Sequence, residues 1–352
     1  MSNRKLIFEI AAVYTAVIIG AGFATLEICR LRKLTSFDEL IGYTAGRYVG
    51  RVIKLGAVAF LFVVFAAMLS ATGALGAQLF GLPSIAGSLV MALCCFAAFS
   101  FDLRGLVRIN TFLAPVMLLG SIALGLYSYF TYTVYVFGGT VSAVRYNWAS
   151  SAVLYASYNM VAVVSILTAM SSSIRTRREA LFGTLLGAGA VTLIALCLAL
   201  GLSRGLEVVQ NFQIPFLRLV QDYGTLAQWA YVAVLAAAVY TTAISNGYCF
   251  YITALGNLRI TPFTQLYTKS FVKLTGGTKR FRYAKVAIGQ FAKGKPHRPP
   301  LHMVAKAGMC GAALAFSQIE FTRIVESVYP LFGLIGLLLA LILLITATMR
   351  KD

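Results

Sequence analysis

Acidic residues, histidines and cysteine motifs are scarce in this chain of 352 residues, which has 11 Asp and Glu, two His and six Cys. His297 and His302 lie five residues apart without an acidic neighbour, so they indicate neither a metal site nor a catalytic base. No cysteine pair has C-x-x-C spacing, and the expected role is that of small buried apolar residues. Four cysteines lie inside apolar runs: Cys94, Cys95, Cys197 and Cys310. We therefore expect neither an enzyme nor a resident cofactor.

Charge is also scarce, at 12% of residues, whereas 59% are hydrophobic. One soluble core cannot bury this much apolar surface. Crossing a hydrocarbon layer about 30 Å thick takes roughly 20 apolar helical residues. Nine runs approach that length, near 6–28, 55–80, 83–101, 109–136, 149–172, 181–203, 226–255, 303–319 and 327–348. The sequence predicts an all-α, multi-pass protein of the inner (cytoplasmic) membrane, forming one transmembrane domain over residues 1–352 with the lipid bilayer as its solvent.

The net charge of +19 is concentrated in one segment. Eleven Lys and Arg and no acidic residue lie between Arg259 and Lys306. Because Lys and Arg accumulate in cytoplasmic loops, residues 256–306 are predicted to form a basic cytoplasmic loop. Residues 259–306 could attract anionic lipid headgroups, or could serve only as a solvated anchor that sets the orientation. This placement between apolar runs argues against nucleic acid as the partner.

Three further connections between runs carry cations, and two predicted spans separate each of them from the next. These are residues 30–54, the turn with Arg104 and Arg108, and residues 175–178. Because Lys and Arg accumulate in cytoplasmic loops, all three connections are predicted to face the cytoplasm. The cations Arg4 and Lys5 do not fit, because only one run separates them from 30–54. Either the N-terminus is outside, or the first run re-enters, or a helix is missing.

The first run contains Gly20-Ala21-Gly22-Phe23 near its middle. Glycine costs a helix about 1 kcal/mol relative to alanine and tolerates a break. In a bilayer a broken backbone persists only where it lines a cavity or is covered by protein. The motif therefore predicts either an interrupted helix that binds a solute or a small-residue surface for close helix packing.

The fifth run carries the polar cluster Ser157, Tyr158 and Asn159 at membrane depth. Polar side chains there need partners from the protein, from water or from a substrate. Substrate binding is one interpretation, and hydrogen bonding between helices is the alternative.

The seventh run carries three hydroxyl side chains that lie on adjoining helical faces and could help to coordinate Na⁺, namely Thr241, Thr242 and Ser245. Hydroxyls that bond to their own backbone are the alternative. Glu27, just after the glycine motif, could bind a cation or a proton, or could pair with Arg30.

Three segments together resemble the YkvI-like bacterial membrane proteins, and through them the amino acid-polyamine-organocation superfamily. They are Gly20-Ala21-Gly22-Phe23-Ala24-Thr25 with Glu27-Ile28, then Tyr158-Asn159, and Tyr329-Pro330-Leu331-Phe332-Gly333. The resemblance implies a LeuT-like fold of two inverted five-helix repeats, each opening with a helix unwound around substrate and ion. Residues 6–136 would form the first repeat, 149–255 the second, and 307–352 the C-terminal helices.

By this resemblance, Gly20, Ala21, Gly22 and Phe23 form the first break, Ser157, Tyr158 and Asn159 the second, and Thr241, Thr242 and Ser245 part of an ion site. Two features depart from the family pattern. The family motif reads GAGFASGQEI, whereas this chain has GAGFATLEI. The family's second helix also has no recognisable counterpart between Glu27 and the run at 55–80, so the first repeat is predicted to be incomplete.

Residue pattern and resemblance together favour a secondary active transporter. Its small solute would be an amino acid or a similar zwitterion, coupled to Na⁺ or H⁺ by alternating access. The free N–H groups of an unwound helix would bind the carboxylate. The alternative is a membrane scaffold or sensor that retains the transporter fold without transporting.

Overall fold

A computed structural model describes residues 3–99, 103–131, 148–203, 209, 212–255 and 301–349. These residues form eleven α-helices and one short 3-10 turn, Ser171–Ser173, which confirms the predicted all-α class. The helices are α1 (Asn3–Arg32), α2 (Phe37–Phe80), α3 (Ser84–Phe99), α4 (Leu103–Thr131), α5 (Trp148–Met170), α6 (Arg177–Leu202), α7 (Pro215–Gln221), α8 (Thr225–Leu255), α9 (Leu301–Phe316), α10 (Phe321–Ser327) and α11 (Tyr329–Met349).

Among the described residues, seven helical segments are long and apolar enough to cross a membrane. They are Ile7–Arg32, Phe37–Phe80, Arg108–Thr131, Trp148–Ser173, Arg177–Leu202, Thr225–Ala254 and Phe321–Met349. The two remaining predicted runs coincide with α3 and α9, which have 16 residues each. That is below the roughly 20 residues of a typical span. These seven segments are consistent with the predicted multi-pass membrane protein, whereas the count of nine crossings stays a prediction.

The basic loop predicted at 256–306 lies largely outside the described residues, as does His297. Its last six residues are described, and they form the first turns of α9, which begins at Leu301. That boundary of the predicted loop was therefore wrong.

Helices α1 and α5 run in the same direction. Near their starts, the rings of Tyr14 and Tyr155 lie 5.5 Å apart. Just past their ends, the Ser171 hydroxyl donates to the Leu34 carbonyl at 2.8 Å. Corresponding helices of inverted repeats would run in opposite directions, so this pair does not have the relationship that the resemblance implies.

Two contacts for each further helix pair give the remaining directions. Helix α11 is parallel to α5 and α4 is parallel to α6, whereas α6 opposes α1, α8 opposes α4 and α3 opposes α2. The contacts are Gly333–Leu154 and Gly336–Ser157 for α11 and α5, Gly125–Cys197 and Gly201–Ser128 for α4 and α6, and Thr15–Thr192 and Gly22–Thr184 for α1 and α6. They are Asn110–Ser245 and Gly120–Val234 for α4 and α8, and Ser88–Leu69 and Phe99–Phe65 for α3 and α2.

These directions bring the described cationic connections to one side of the bundle, which we call the cationic face. Helices α1, α5, α8 and α11 end there, and α4 and α6 begin there. Residues 30–54, Arg108 and residues 175–178 share this face, as their charges predicted. Because α1 is continuous from Asn3 to Arg32, the first run crosses rather than re-enters.

Helix α2 folds back on itself at Gly46. Its 44 residues would extend about 66 Å if straight, far more than a bilayer requires. Gly46 has φ 70° and ψ −169°, a conformation open essentially only to glycine. Asp38 and Lys54 form an ion pair at 2.6 Å, and Gly50 lies against Ile41. Residues 37–54 therefore form a short helical hairpin, the interfacial hairpin, and the predicted run at 55–80 follows it.

Lys306 interrupts the apolar run of α9, and the structure gives it a partner. Its ammonium group donates to the carbonyl of Phe99 at the end of α3 and lies 5.3 Å from the centre of the Tyr251 ring. The last carbonyls of a helix have no partner within the helix, so this cation satisfies one of them.

Replacing Lys306 by Met keeps the aliphatic stem and removes this bond. We expect Lys306→Met to lower the free energy of unfolding by about 1.5–3 kcal/mol, as for other hydrogen bonds to charged groups. Thermal unfolding in detergent would measure the loss. Arg323→Met is the control, because Arg323 pairs with Glu320 on an exposed surface, where such pairs contribute about 0–1 kcal/mol. Equal losses in the two variants would contradict this role of Lys306.

Candidate functional site

The two segments predicted to be unwound are helical. Residues 20–23 lie within continuous α1, and residues 157–159 lie within continuous α5. Both predicted breaks were therefore wrong. A Cβ on Gly22 would lie 3.0 Å from Thr184 Cγ2, and one on Gly20 would lie 3.4 Å from a Leu344 methyl group. The glycines instead permit close packing of α1 against α6 and α11, the alternative that the sequence had left open.

The other two residues of the first motif also have packing roles. Ala21 is fully buried. Phe23 is half-buried, and the guanidinium carbon of Arg177 lies 5.8 Å from its ring centre, a cation–π contact at the cationic face. This contact joins the end of α1 to the start of α6.

An open groove of about 490 Å³ lies on another part of α1, between α1 and α6. The predicted substrate-binding residues do not line it. Its lining is mostly apolar and consists of Phe8, Ala11, Ala12, Thr15, Ala16, Ile19, Thr192 and Leu196. The groove therefore does not correspond to the predicted site.

Ser157 lies in the tightest described seam of the bundle, between α5 and α11. Its side chain is 0% exposed, and its hydroxyl has no hydrogen-bond partner among the described residues. A Cβ on Gly336 of α11 would overlap the Ser157 carbonyl. The two backbones therefore touch here, next to a polar atom that is not satisfied.

Tyr158 and Asn159, the other predicted members of this cluster, point elsewhere. The Asn159 amide donates to the carbonyl of Tyr155, one turn back, at 2.7 Å. The ring of Tyr158 lies 4.8 Å from that of Tyr329 and 5.9 Å from that of Phe60. Tyr158 therefore packs between helices, and Asn159 bonds within its own.

Six rings from four helices form an aromatic cluster beside Ser157. Neighbouring ring centres lie 4.8 to 6.1 Å apart, the range of direct aromatic contact. The members are Tyr14 of α1, Phe60 of α2, Tyr155 and Tyr158 of α5, and Tyr329 and Phe332 of α11. Sequence reasoning assigned no role to Tyr14 or Phe60, because nothing in the local sequence indicates which distant rings they meet.

The predicted ion-site hydroxyls are only partly brought together. The Thr241 hydroxyl bonds to the carbonyls of Ala237 and Ala238 on its own helix, which was the alternative interpretation. Ser245 accepts a hydrogen bond at 2.9 Å from the amide of Asn110 on α4. Thr242 contributes its backbone carbonyl, which accepts from the Asn246 amide at 2.8 Å. These hydroxyls therefore do not converge on one point.

Two asparagines that the sequence analysis did not single out lie beside these hydroxyls. The side-chain oxygens of Asn110 and Asn246 are buried and have no donor among the described residues. Asn246 is only 5% exposed. One residue corresponds to about 100° around a helix, so Asn246 points away from the α4 side on which Ser245 lies. The sequence shows each as an amide side chain at membrane depth, and such an amide needs a hydrogen-bond partner just as a hydroxyl does.

Glu27 lies apart from this group. Its carboxylate accepts two hydrogen bonds from Arg30, at 2.9 and 2.7 Å, as the pairing alternative predicted. Helix α1 packs mainly against α5, α6 and α11, whereas α8 packs mainly against α2, α4, α7 and α3. The structure thus does not join Glu27 to Thr241, Thr242 and Ser245. Within the described ranges, no group of three or more His, Cys, Asp or Glu could hold a metal ion.

The fold and the contacts between its helices define a polytopic α-helical membrane protein in which buried polar groups between the spans lack partners among the described residues. No family model matches the chain. It is similar to the uncharacterized membrane protein YkvI of Bacillus subtilis (strain 168), with 21% identity over 94% of this chain and 92% of that protein. It is also similar to the uncharacterized protein YyaD of the same strain, with 22% identity over 66% of this chain and 68% of the relative. These similarities support the resemblance to YkvI-like membrane proteins.

Proposed function

We propose that this protein is a secondary active transporter of a small solute, an amino acid or a similar zwitterion, coupled to Na⁺ or H⁺. The observation that supports this most is that buried polar atoms between its spans lack hydrogen-bond partners among the described residues. Three of these atoms carry the proposal. They are the Ser157 hydroxyl and the side-chain oxygens of Asn110 and Asn246. Leaving each buried without a partner costs about 1–3 kcal/mol. A solute or ion that enters in another conformation would supply the missing partners.

The continuous helices constrain how such a transporter would work. The backbone N–H groups of α1 and α5 are used within the helices, so they are not free to bind a carboxylate. Recognition would fall to side chains, above all the Ser157 hydroxyl and the hydroxyls of Tyr155 and Tyr158. Ser157 lies in a closed seam, so whole helices would have to separate to admit the solute. This corresponds to rocking of one bundle against another, as in known alternating-access mechanisms.

Nine crossings and a LeuT-like inverted repeat remain part of this proposal. With α3 and α9 counted as crossings, the chain would pass the membrane nine times and its cationic segments would still meet at one face. The parallel direction of α1 and α5 does not support these two helices as the matching first helices of two repeats. Any internal symmetry would therefore have to relate other helices.

Uptake into proteoliposomes tests the proposal. We expect the wild type to accumulate amino acids from a labelled mixture under an imposed Na⁺ or H⁺ gradient. Ser157→Ala removes an unsatisfied hydroxyl, so uptake should fall at least about tenfold, the equivalent of one lost hydrogen bond of about 1.4 kcal/mol. Thermal stability should be unchanged or higher, because a buried unpaired group is removed.

Ser165→Ala is the matched control on the same helix. The Ser165 hydroxyl is also buried, but it donates to the Val161 carbonyl one turn back, at 2.8 Å. This variant should transport like the wild type. Equal uptake by Ser157→Ala and the wild type would remove Ser157 from the site.

The tight packing of unbroken α1 and α5 favours a second candidate, a scaffold or sensor that does not transport. Under that function, no labelled solute would accumulate under any imposed gradient. The protein could still bind a solute, which a ligand-induced rise in unfolding temperature would detect. Binding without accumulation would therefore indicate a sensor rather than a transporter.

A further inference from the structure

The outer side of the interfacial hairpin carries two adjacent stripes of exposed side chains. One stripe is apolar and consists of Tyr48, Val52 and Leu55, whose side chains are 81%, 65% and 72% exposed. Their i, i+4, i+7 spacing aligns them along one helical face. Arg47 and Arg51, four residues apart, are exposed on the neighbouring face. An apolar stripe and a cationic stripe therefore run side by side.

The fold-back at Gly46 explains why these residues are uncovered. The other side of the helix is used within the protein, where Gly50 lies against Ile41 and Ile53 is fully buried. Leu55 begins the apolar run of α2, and Tyr48 lies about 10 Å before it along the helix. The apolar stripe is therefore continuous with the surface that faces lipid, and the arginines lie at the boundary.

The carboxylates near this surface have other partners. Asp38 pairs with Lys54, Glu27 pairs with Arg30, and the Glu39 carboxylate accepts from the Thr35 amide. In the part of the chain that the structure describes, no ion pair involves Arg47 or Arg51. No described carboxylate therefore competes with an external anion for the cationic stripe.

We propose that the interfacial hairpin binds an anionic phospholipid. Its phosphate lies against Arg47 and Arg51, and its acyl chains lie along Tyr48, Val52 and Leu55. Charge complementarity selects an anionic headgroup over a zwitterionic one, and tyrosine and arginine suit the boundary between headgroups and acyl chains. Free phosphate would meet the arginines but leave the apolar stripe uncovered, so a lipid is the occupant that satisfies both stripes.

Titration of the purified full-length protein in detergent with phosphatidylglycerol tests this site. We expect the unfolding temperature to rise with the lipid and native mass spectrometry to detect retained phosphatidylglycerol. The double variant Arg47→Gln/Arg51→Gln should bind it about tenfold more weakly or worse, given the known attraction per cation. Because both arginines are exposed, the double variant should elute and unfold like the wild type without added lipid.

Three comparisons separate this site from other sources of binding. Arg178→Gln alters an exposed cation on the same cationic face and should bind phosphatidylglycerol like the wild type. Phosphatidylcholine and inorganic phosphate should each leave the unfolding temperature unchanged. Equal weakening by Arg178→Gln and the double variant would replace the site with diffuse attraction. An equal response to phosphatidylcholine, or to phosphate alone, would overturn the proposal.

Discussion

Gly336→Ala is expected to destabilise the protein by about 1–3 kcal/mol, the usual cost of overpacking a close-packed core. A Cβ on Gly336 would overlap the Ser157 carbonyl and approach the Tyr158 nitrogen to 3.1 Å. The neighbouring Gly333 also packs against α5, though less tightly, because a Cβ there would meet the Leu154 carbonyl oxygen at 3.0 Å. Because the obstructing atoms are backbone, no rotamer change relieves the clash, and α11 must move away from α5.

The loss should appear as a lower unfolding temperature and as less monodisperse protein after size-exclusion chromatography. Gly183→Ala is the matched control, because Gly183 also lies inside a helix, α6, but a Cβ there would meet nothing within 4 Å. That change should be neutral or stabilising by up to about 1 kcal/mol, since alanine favours helix. If both variants behaved alike, the close approach of α5 and α11 would be disproved.

Gly46→Ala is expected to destabilise the interfacial hairpin by about 1–3 kcal/mol. At φ 70° and ψ −169°, any Cβ crowds the neighbouring backbone, so the residue would shift toward the helical region. A helical residue 46 would straighten the chain and separate Asp38 from Lys54, which now meet at 2.6 Å. Faster amide hydrogen exchange across residues 37–54 would report the opening.

Gly42→Ala tests whether that effect belongs to the backbone conformation. Gly42 lies in the same short segment and is helical, and a Cβ there would be in open space. Its replacement should leave exchange across the hairpin unchanged or slower. Comparable acceleration in both variants would show that Gly46 has no special role.

The general architecture could be predicted from the sequence because it depends on composition over long windows. Twenty apolar residues in succession must be helical in lipid, whatever surrounds them. Lys and Arg accumulate in the loops on one side of the membrane, which is a similarly general rule, and residues 30–54 and 175–178 do share a face. Even Lys306, which weakened one run, is accommodated within its helix by a partner on α3.

The details of the site could not be predicted, because they depend on partners distant in sequence. Gly20 and Gly22 were consistent with a break or with packing, and only the positions of Leu344 and Thr184 decide between them. The same holds for Ser245, whose partner Asn110 lies 135 residues away. The fold-back at Gly46 was missed for a related reason, since the left-handed region is available to every glycine but adopted by few.

The parallel course of α1, α5 and α11 has an electrostatic consequence for the bundle. Each α-helix behaves as though about half a negative elementary charge lay at its carboxyl end. These three ends gather at the cationic face together with the end of α8, and their partial charges repel one another there. Arg32 in the last turn of α1 and Arg175 just past the end of α5 reduce that field, and so do the positive amino ends of α4 and α6 at the same face. Some of the basic residues that orient the chain during insertion thus also reduce the repulsion between like-directed helix dipoles once it is folded.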